Sequence, residues 1–221
     1  MHLAKESENI RWDSRKGQLL ATLDLRIGSI VLQSKPLASP DPQKLEEILS
    51  EAVKTEGQSL LSFTDEVEQW QNRVLSLRSW NPEQNWPDVS TEALLRDNKT
   101  WLGPYFAQLR KATSTGSVQA LLKAEDFKKL NLVHILQHSL PYELQSLFDT
   151  LAPATVTVPS GSNIKLSYSA HGQDPVLAVR LQEIFGMLDT PRVNGGTKNV
   201  VIHLLSPGFK PVQVTSDLRS F

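Results

Sequence analysis

LAPATVTVPSGSNIKLSYS, residues 151–169, is the stretch from which the fold is read. In TVTVP apolar and polar residues alternate, and in IKLSY they alternate again. PSGSN between them supplies proline, glycine, serine and asparagine. Period-two alternation sends successive side chains to opposite faces of a strand, and the intervening residue types favour a chain reversal. Residues 155–168 are therefore expected to form a β-hairpin.

Downstream, PVLAVRLQEIFG (residues 175–186) suits a helix. Asp174 can cap it and Pro175 can take its first position. Val176, Leu177, Val179, Leu181, Ile184 and Phe185 would line the buried side, with Gly186 near the end. Asn194-Gly195-Gly196 reads as a turn, and NVVIHLLS and PVQVTS as two closing strands around Pro207-Gly208.

Upstream the pattern is mostly helical. Asp41 caps and Pro42 begins a helix whose apolar face is Leu45, Ile48, Leu49, Ala52 and Val53; Gly57 is expected to end it. A second helix is expected over residues 64–77, with Thr64 as cap and Asp65, Glu66 and Glu68 suiting the positive end of its dipole. WNPEQNWPDVS (residues 80–90) interrupts, because two X-Pro pairs force extended backbone. Ser90 caps a further helix carrying Ala93, Leu94, Leu95 and Trp101. Helices are also expected over residues 118–122, 127–137 and 141–151.

SKPLASPDP (residues 34–42) is a linker, since three prolines in nine residues suit neither a sheet nor a helix interior. Before it, Trp12-Asp13-Ser14-Arg15-Lys16-Gly17 reads as strand, turn and glycine exit. Leu23, Leu25 and Ile27 alternate with Asp24 and Arg26, as in a half-buried strand. Two or three antiparallel strands are expected there. The fold class is α+β, a helical middle section combined with short antiparallel strands at both ends of the chain. Three sections follow: residues 1–37, a β-hairpin piece; 38–151, helical; and 152–221, an αβ section.

Composition narrows the function. The 221 residues are 39% hydrophobic and 21% charged, as in an ordinary globular protein, with a formal net charge of -1. No global basic field advertises nucleic acid, so any such contact must be a local patch. The absence of cysteine removes disulfides, thiolate metal sites and Cys nucleophiles. No apolar run approaches the roughly 20 residues that cross a bilayer, and MHLAKESENIRW lacks the apolar core of a secretory signal. A cytoplasmic protein with no membrane partner is expected.

Catalytic constellations are missing. A phosphate-cradling loop needs glycines leading into Gly-Lys-Ser/Thr; Gly195-Gly196-Thr197-Lys198 has another order and reads as a turn between strands. His134 and His138 share a helix face at a spacing that can bind zinc, but the helix lacks a general-base glutamate and no third ligand is linked to the pair. Ser160 and Ser162 belong to hairpin-turn chemistry rather than to a nucleophile elbow. Glu46-Glu47 reads as a solvated helix face, and Trp70, Trp80, Trp86 and Trp101 as core or junction packing. No catalytic residue and no metal ligand is assigned.

Cations are the remaining feature. Arg11, Arg15, Lys16 and Arg26 crowd the opening strands, while Lys165, Arg180, Arg192, Lys198, Lys210 and Arg219 punctuate the last section. Beside aromatics such as Trp12 or Tyr168, such cations can track a single-stranded phosphate backbone while a base stacks. Surface cations balanced by acids are equally ordinary, and Arg180 can simply pair with Glu183. The residues leave both readings open.

LAPATVTVPSG (residues 151–161), PVLAVRLQEIFG, Thr190-Pro191-Arg192 and HLLSPGFKPVQVTSDL (residues 203–218) together resemble the C-terminal region of the HrpB-like ATP-dependent RNA helicases of the DExH group. GQSLLSFTDEVEQWQNRVLSLRSW and WPDVS match more loosely, and the likeness runs from IRWD onward. The resemblance implies an accessory region that guides RNA or braces the motor and is non-catalytic by itself. ATP and magnesium would belong to RecA-like motor domains of the same polypeptide, an ATP hydrolase. It implies that residues 11–37 end an OB-like region, and that the polypeptide continues past Phe221 into a Trp-, Tyr- and Arg-rich tail. The expected partners are RNA and those motor domains. Arg180 and Arg192, within the strongest blocks, are the leading phosphate contacts, with Arg11 and Lys165 behind them. The alternative is a protein-interaction module without a nucleic-acid role.

Overall fold

A computed structural model describes residues 4–37, 39–113 and 122–219. The helix expected over 118–122 lies, but for Leu122, outside the described residues. The fold is α+β, with seven α-helices and three sheets among the described residues. The chain divides into two units: Met1–Phe63 with Leu94–Ile135, and Thr64–Ala93 with Leu136–Phe221. No described helix is long and apolar enough to cross a membrane.

The first unit begins with an antiparallel meander, β1 (Lys5–Asp13), β2 (Gln18–Ile27) and β3 (Ile30–Pro36), with β2 central. Asp13 Oδ1 accepts the backbone N–H groups of Arg15 and Lys16, and Gly17 takes φ +56° to leave the turn. Helix α1 (Pro42–Leu60) starts as expected, Asp41 accepting from the amides of Gln43 and Lys44. It does not stop at Gly57. Leu95 packs where a Cβ on Gly57 would stand, so the bare Cα serves close approach rather than termination. The helix expected after Ser90 is two, α3 (Thr91–Arg96) and α4 (Asn98–Thr113). Buried Asn98 marks the break: its amide donates to the carbonyls of Ser50 and Leu95 and accepts from Ser50 Oγ. Residues 127–137 likewise divide between α5 (Ala124–Lys128) and α6 (Leu132–Ser139). Leu19, Leu49, Val53, Leu102, Phe106 and Phe127 form the centre of this unit's core.

Asp24 is the polar exception in that sheet, its side chain 3% exposed. It accepts from Ser34 Oγ at 2.6 Å, Thr22 Oγ1 at 2.9 Å, and Arg26 Nη2 and Asn9 Nδ2 at 3.2 Å. The Ser34 and Thr22 hydroxyls above all hold its carboxyl below the usual carboxylate range, against the opposing effect of burial. Asp126 is lowered too: burial opposes ionisation, but Lys129 Nζ at 2.8 Å and the Lys123 amide outweigh it. A carboxylate with a lowered native pKa binds fewer protons folded than unfolded. Its contribution is therefore full above the unfolded value of roughly 4 and disappears as pH falls through the native one. The melting temperature of the chain is expected to drop below about pH 4, with Asp24→Asn flattening that acid limb. Thermal melts from pH 7 down to 3 check this.

The second unit is built on α2 (Asp65–Trp80), capped as expected by Thr64 Oγ1. Hydrophobic Val67, Trp70, Val74 and Leu77 face the core. A polar row on the same helix clasps an irregular segment: Gln69 and Asn72 donate to Tyr168 O, Ser76 Oγ to Ser169 O, and Trp80 Nε1 to Gly172 O. The row lets α2 bury backbone that has no strand partner. Helix α7 (Tyr142–Leu151) leads into the expected hairpin, β4 (Thr155–Thr157) and β5 (Asn163–Ser167).

The helix expected over 175–186 is absent. Val176–Arg180 forms strand β6, and Leu181–Ile184 is a single 3-10 turn. Val-Leu-Ala-Val satisfies both periodicities in so short a window. Partner strands settle it: β5 pairs antiparallel on one side, and β9 (Val201–Leu205) pairs parallel on the other. Leu177 and Val179 are buried at period two. With β10 (Pro211–Thr215) the sheet has the order β10-β9-β6-β5-β4. A separate two-stranded hairpin, β7 (Arg192–Val193) and β8 (Lys198–Asn199), lies in the connection from β6 to β9.

Candidate nucleic-acid interface

The five-stranded sheet buries one face through Leu166, Leu177, Val179, Ile202 and Leu204. Alternation sends Lys165, Ala178, Arg180 and His203 to the other. Ala178 pairs with His203, and His203 with Val214 across the next strand. Two of the four expected cations thus share one open face. Lys165 is exposed, opposite Thr155. Arg180 is engaged: Nη2 meets Glu183 Oε1 at 2.7 Å, and its guanidinium lies 5.3 Å from the ring centroid of Phe209. A phosphate at Arg180 would compete with that carboxylate.

Arg192 has a different setting. In the β7–β8 hairpin it pairs with Asn199, which puts both side chains on one face. The turn between them is anchored. Asn194 and Asn81 exchange side-chain amide hydrogen bonds of 2.8 and 3.1 Å, and Asn194 N donates to Leu151 O at 2.7 Å. Asn194, Gly195 and Gly196 all take positive φ. The exposed side of this fixed hairpin opens on a polar groove of about 760 Å³, lined also by Asp189, Thr190, Ser216, Asp217 and Arg219. Its far wall is wired together: Arg219 Nε donates to Asp189 Oδ1 at 2.6 Å, Leu218 N to Thr190 Oγ1 at 2.9 Å, and Arg219 N to Asp217 Oδ1 at 3.0 Å. Among the described residues, no hydrogen bond or ion pair engages the side chains of Arg192, Asn199 or Ser216.

Arg11 belongs to the first unit, exposed on β1 opposite Leu20. The aromatics expected to stack bases are committed elsewhere. Trp12 packs edge-on against Phe127 at 5.7 Å, and Tyr168 is 3% exposed with its hydroxyl on Pro153 O. Burial pushes the Tyr168 phenol well above its ordinary pKa. Trp70, Trp86 and Trp101 are buried, and half-buried Trp80 has Lys198 Nζ 5.7 Å from its ring centroid. His134 and His138 sit on α6, with His138 at a small cleft beside Gln145 and Asp149. Ser160 Oγ bonds Ser162 Oγ within the turn.

In Gly195-Gly196-Thr197-Lys198 the amides of Gly196 and Thr197 donate to Val193 O and Asn194 O, closing the hairpin turn rather than opening a phosphate cradle. Asp189, Thr190, Asn199, Ser216 and Asp217 were not legible as site residues. Only the pairing of Arg192 with Asn199 across the Asn-Gly-Gly turn was accessible from spacing.

Residues 101–221 match the family described as ATP-dependent helicase C-terminal (HrpB_C), and residues 3–37 match the connector region of ATP-dependent RNA helicase HrpB. The ATP-dependent RNA helicase HrpB of Escherichia coli (strain K12) is 35% identical over 219 residues, 99% of this chain and 26% of that protein. The crystal structure of the E. coli DExH-box NTPase HrpB superposes with a TM-score of 0.72 at 35% identity, covering 99% of this chain and 26% of that one. The crystal structure of the Escherichia coli DEAH/RHA helicase HrpB gives 0.71 at 32% identity, covering 100% and 26%. The chain spans about a quarter of the length of these relatives.

Proposed function

Because the chain belongs to the HrpB family of ATP-dependent helicase C-terminal regions, we propose that it is an accessory, non-catalytic part of an ATP-dependent RNA helicase that guides single-stranded RNA. ATP and magnesium would be handled by motor domains elsewhere in such a polypeptide, which this region also braces. A cytoplasmic location goes with that role. The observation that carries the reading is Arg192: an exposed guanidinium without a carboxylate partner among the described residues, on a rigid hairpin, beside a polar groove large enough for a nucleotide. A fork of N–H donors suits a phosphate oxygen pair. Lys165 adds an exposed cation on β5 of the five-stranded sheet, while Arg180 contributes only where Glu183 yields.

Phosphate contacts release counterions, so affinity must fall with salt. The chain is expected to bind single-stranded RNA with a log–log salt slope of about -0.7 per phosphate engaged, lowered by roughly one contact in Arg192→Ala. Fluorescence anisotropy over a range of salt concentrations checks this, and absence of binding at low salt overturns it. That second outcome would favour a protein-docking module instead. Exposed Phe185, Leu188, Phe209 and Val212, each at least 66% accessible, support the docking alternative.

A further inference from the structure

We infer that the Arg192 groove distinguishes RNA from DNA by reading the ribose 2′-hydroxyl through Asn199. The inference rests on the RNA-guiding reading above and specifies what that site selects. A groove built for phosphate alone would carry an excess of cations. This one is charge-balanced, with Arg192 and Arg219 against Asp189 and Asp217. Arg219 is already held by Asp189, so one guanidinium remains for one phosphate. The other uncommitted groups, the Asn199 amide and the Ser216 hydroxyl, each both donate and accept. They need a ligand that can do the same.

A ribose 2′-hydroxyl is donor and acceptor, and deoxyribose offers neither. Arg192 and Asn199 are cross-strand partners, so their side chains rise side by side from one face of the hairpin. Neighbouring phosphate and sugar of one nucleotide are presented at the same scale. The anchoring of Asn194 to Asn81 and to Leu151 O keeps the pair in place before ligand arrives. Arg192 therefore supplies affinity for any single strand, and Asn199 supplies preference for the ribose.

The test compares oligo(U) with oligo(dU) of about a dozen nucleotides, matched in base and differing at the 2′ position, on the full chain. Oligo(U) is expected to bind about tenfold more tightly, as for one hydrogen bond to an otherwise unpaired polar group. Arg192→Ala should weaken both oligonucleotides and leave their ratio intact. Asn199→Ala should weaken oligo(U) alone and bring the ratio near one. Both residues are exposed, so each variant should melt with the unsubstituted chain. Oligo(U) carrying 2′-O-methyl groups keeps the RNA-like sugar but loses the donated proton, and should bind as weakly as oligo(dU). Equal binding of oligo(U) and oligo(dU), a ratio that survives Asn199→Ala, or full affinity for the methylated strand would each overturn the sugar reading. With Arg192 still needed for binding, those results leave the RNA-guiding role standing; no binding of either strand at low salt sinks both.

Discussion

Replacing Gly172 with alanine is expected to destabilise the second unit by about 2–4 kcal/mol. Two causes act together. Gly172 sits at φ +66°, where an L side chain is strained by about 1–2 kcal/mol. Its Cβ would also lie 2.6 Å from Ser79 Cβ, an atom fixed to the backbone of α2. Rotating the Ser79 hydroxyl relieves nothing there. The loop cannot swing away without giving up the 2.6 Å hydrogen bond from Trp80 Nε1 to Gly172 O. Gly195→Ala is the matched control: φ is +62° with nothing within 4 Å of the added methyl, so only the backbone strain remains. Urea unfolding followed by tryptophan fluorescence separates the two. Equal losses for both variants would mean that the Ser79 collision is relieved freely.

Arg73→Ala is expected to cost the same unit about 3 kcal/mol, while Asp149→Ala changes little. Arg73 and Asp149 form an ion pair at 2.5 Å, yet their side chains are 9% and 84% exposed. The pair itself is a surface interaction for the acid. What truncating Arg73 removes lies inside: Nε donates to Ala152 O at 2.7 Å, and the guanidinium stacks 4.0 Å from the Phe148 ring centroid. Alanine would leave the Ala152 carbonyl without that donor and open a gap against Phe148, which also meets Trp70 and Trp86. Arg73→Met, keeping the stem but not the donor, should fall between. Denaturation midpoints of the three variants test the order.

Local chemistry made several elements legible. Asp41-Pro42 and Thr64 announced their helices because caps act on neighbouring amides, and 155–168 announced its hairpin because alternation flanks a turn. Elements decided by distant partners were not legible. Val176–Arg180 becomes a strand because β5 and β9 flank it, the latter in parallel across a long connection. Gly57 lies inside α1, and the space where its Cβ would stand is taken by Leu95, a partner distant in sequence. Among the cations, the family resemblance could propose Arg192 but not its groove, whose other wall comes from residues 216–219. Spacing could propose Arg180 with equal reason as an ion-pair partner of Glu183, and that pairing is present. The helicase kinship came from the ungapped blocks of the last third, not from composition or charge.

Neither unit is one continuous piece of polypeptide, and this governs how the molecule can be dissected. A fragment trimmed to the family boundary at residue 101 would begin inside α4 and forfeit α2 entirely. Excising α2 withdraws the side chains of Gln69, Asn72, Arg73 and Ser76 from the carbonyls of Ala152, Tyr168 and Ser169 that they serve. Such a truncation keeps every groove residue from Asp189 to Arg219 in its sequence and discards Asn81, whose side chain holds Asn194 in the turn of the Arg192 hairpin.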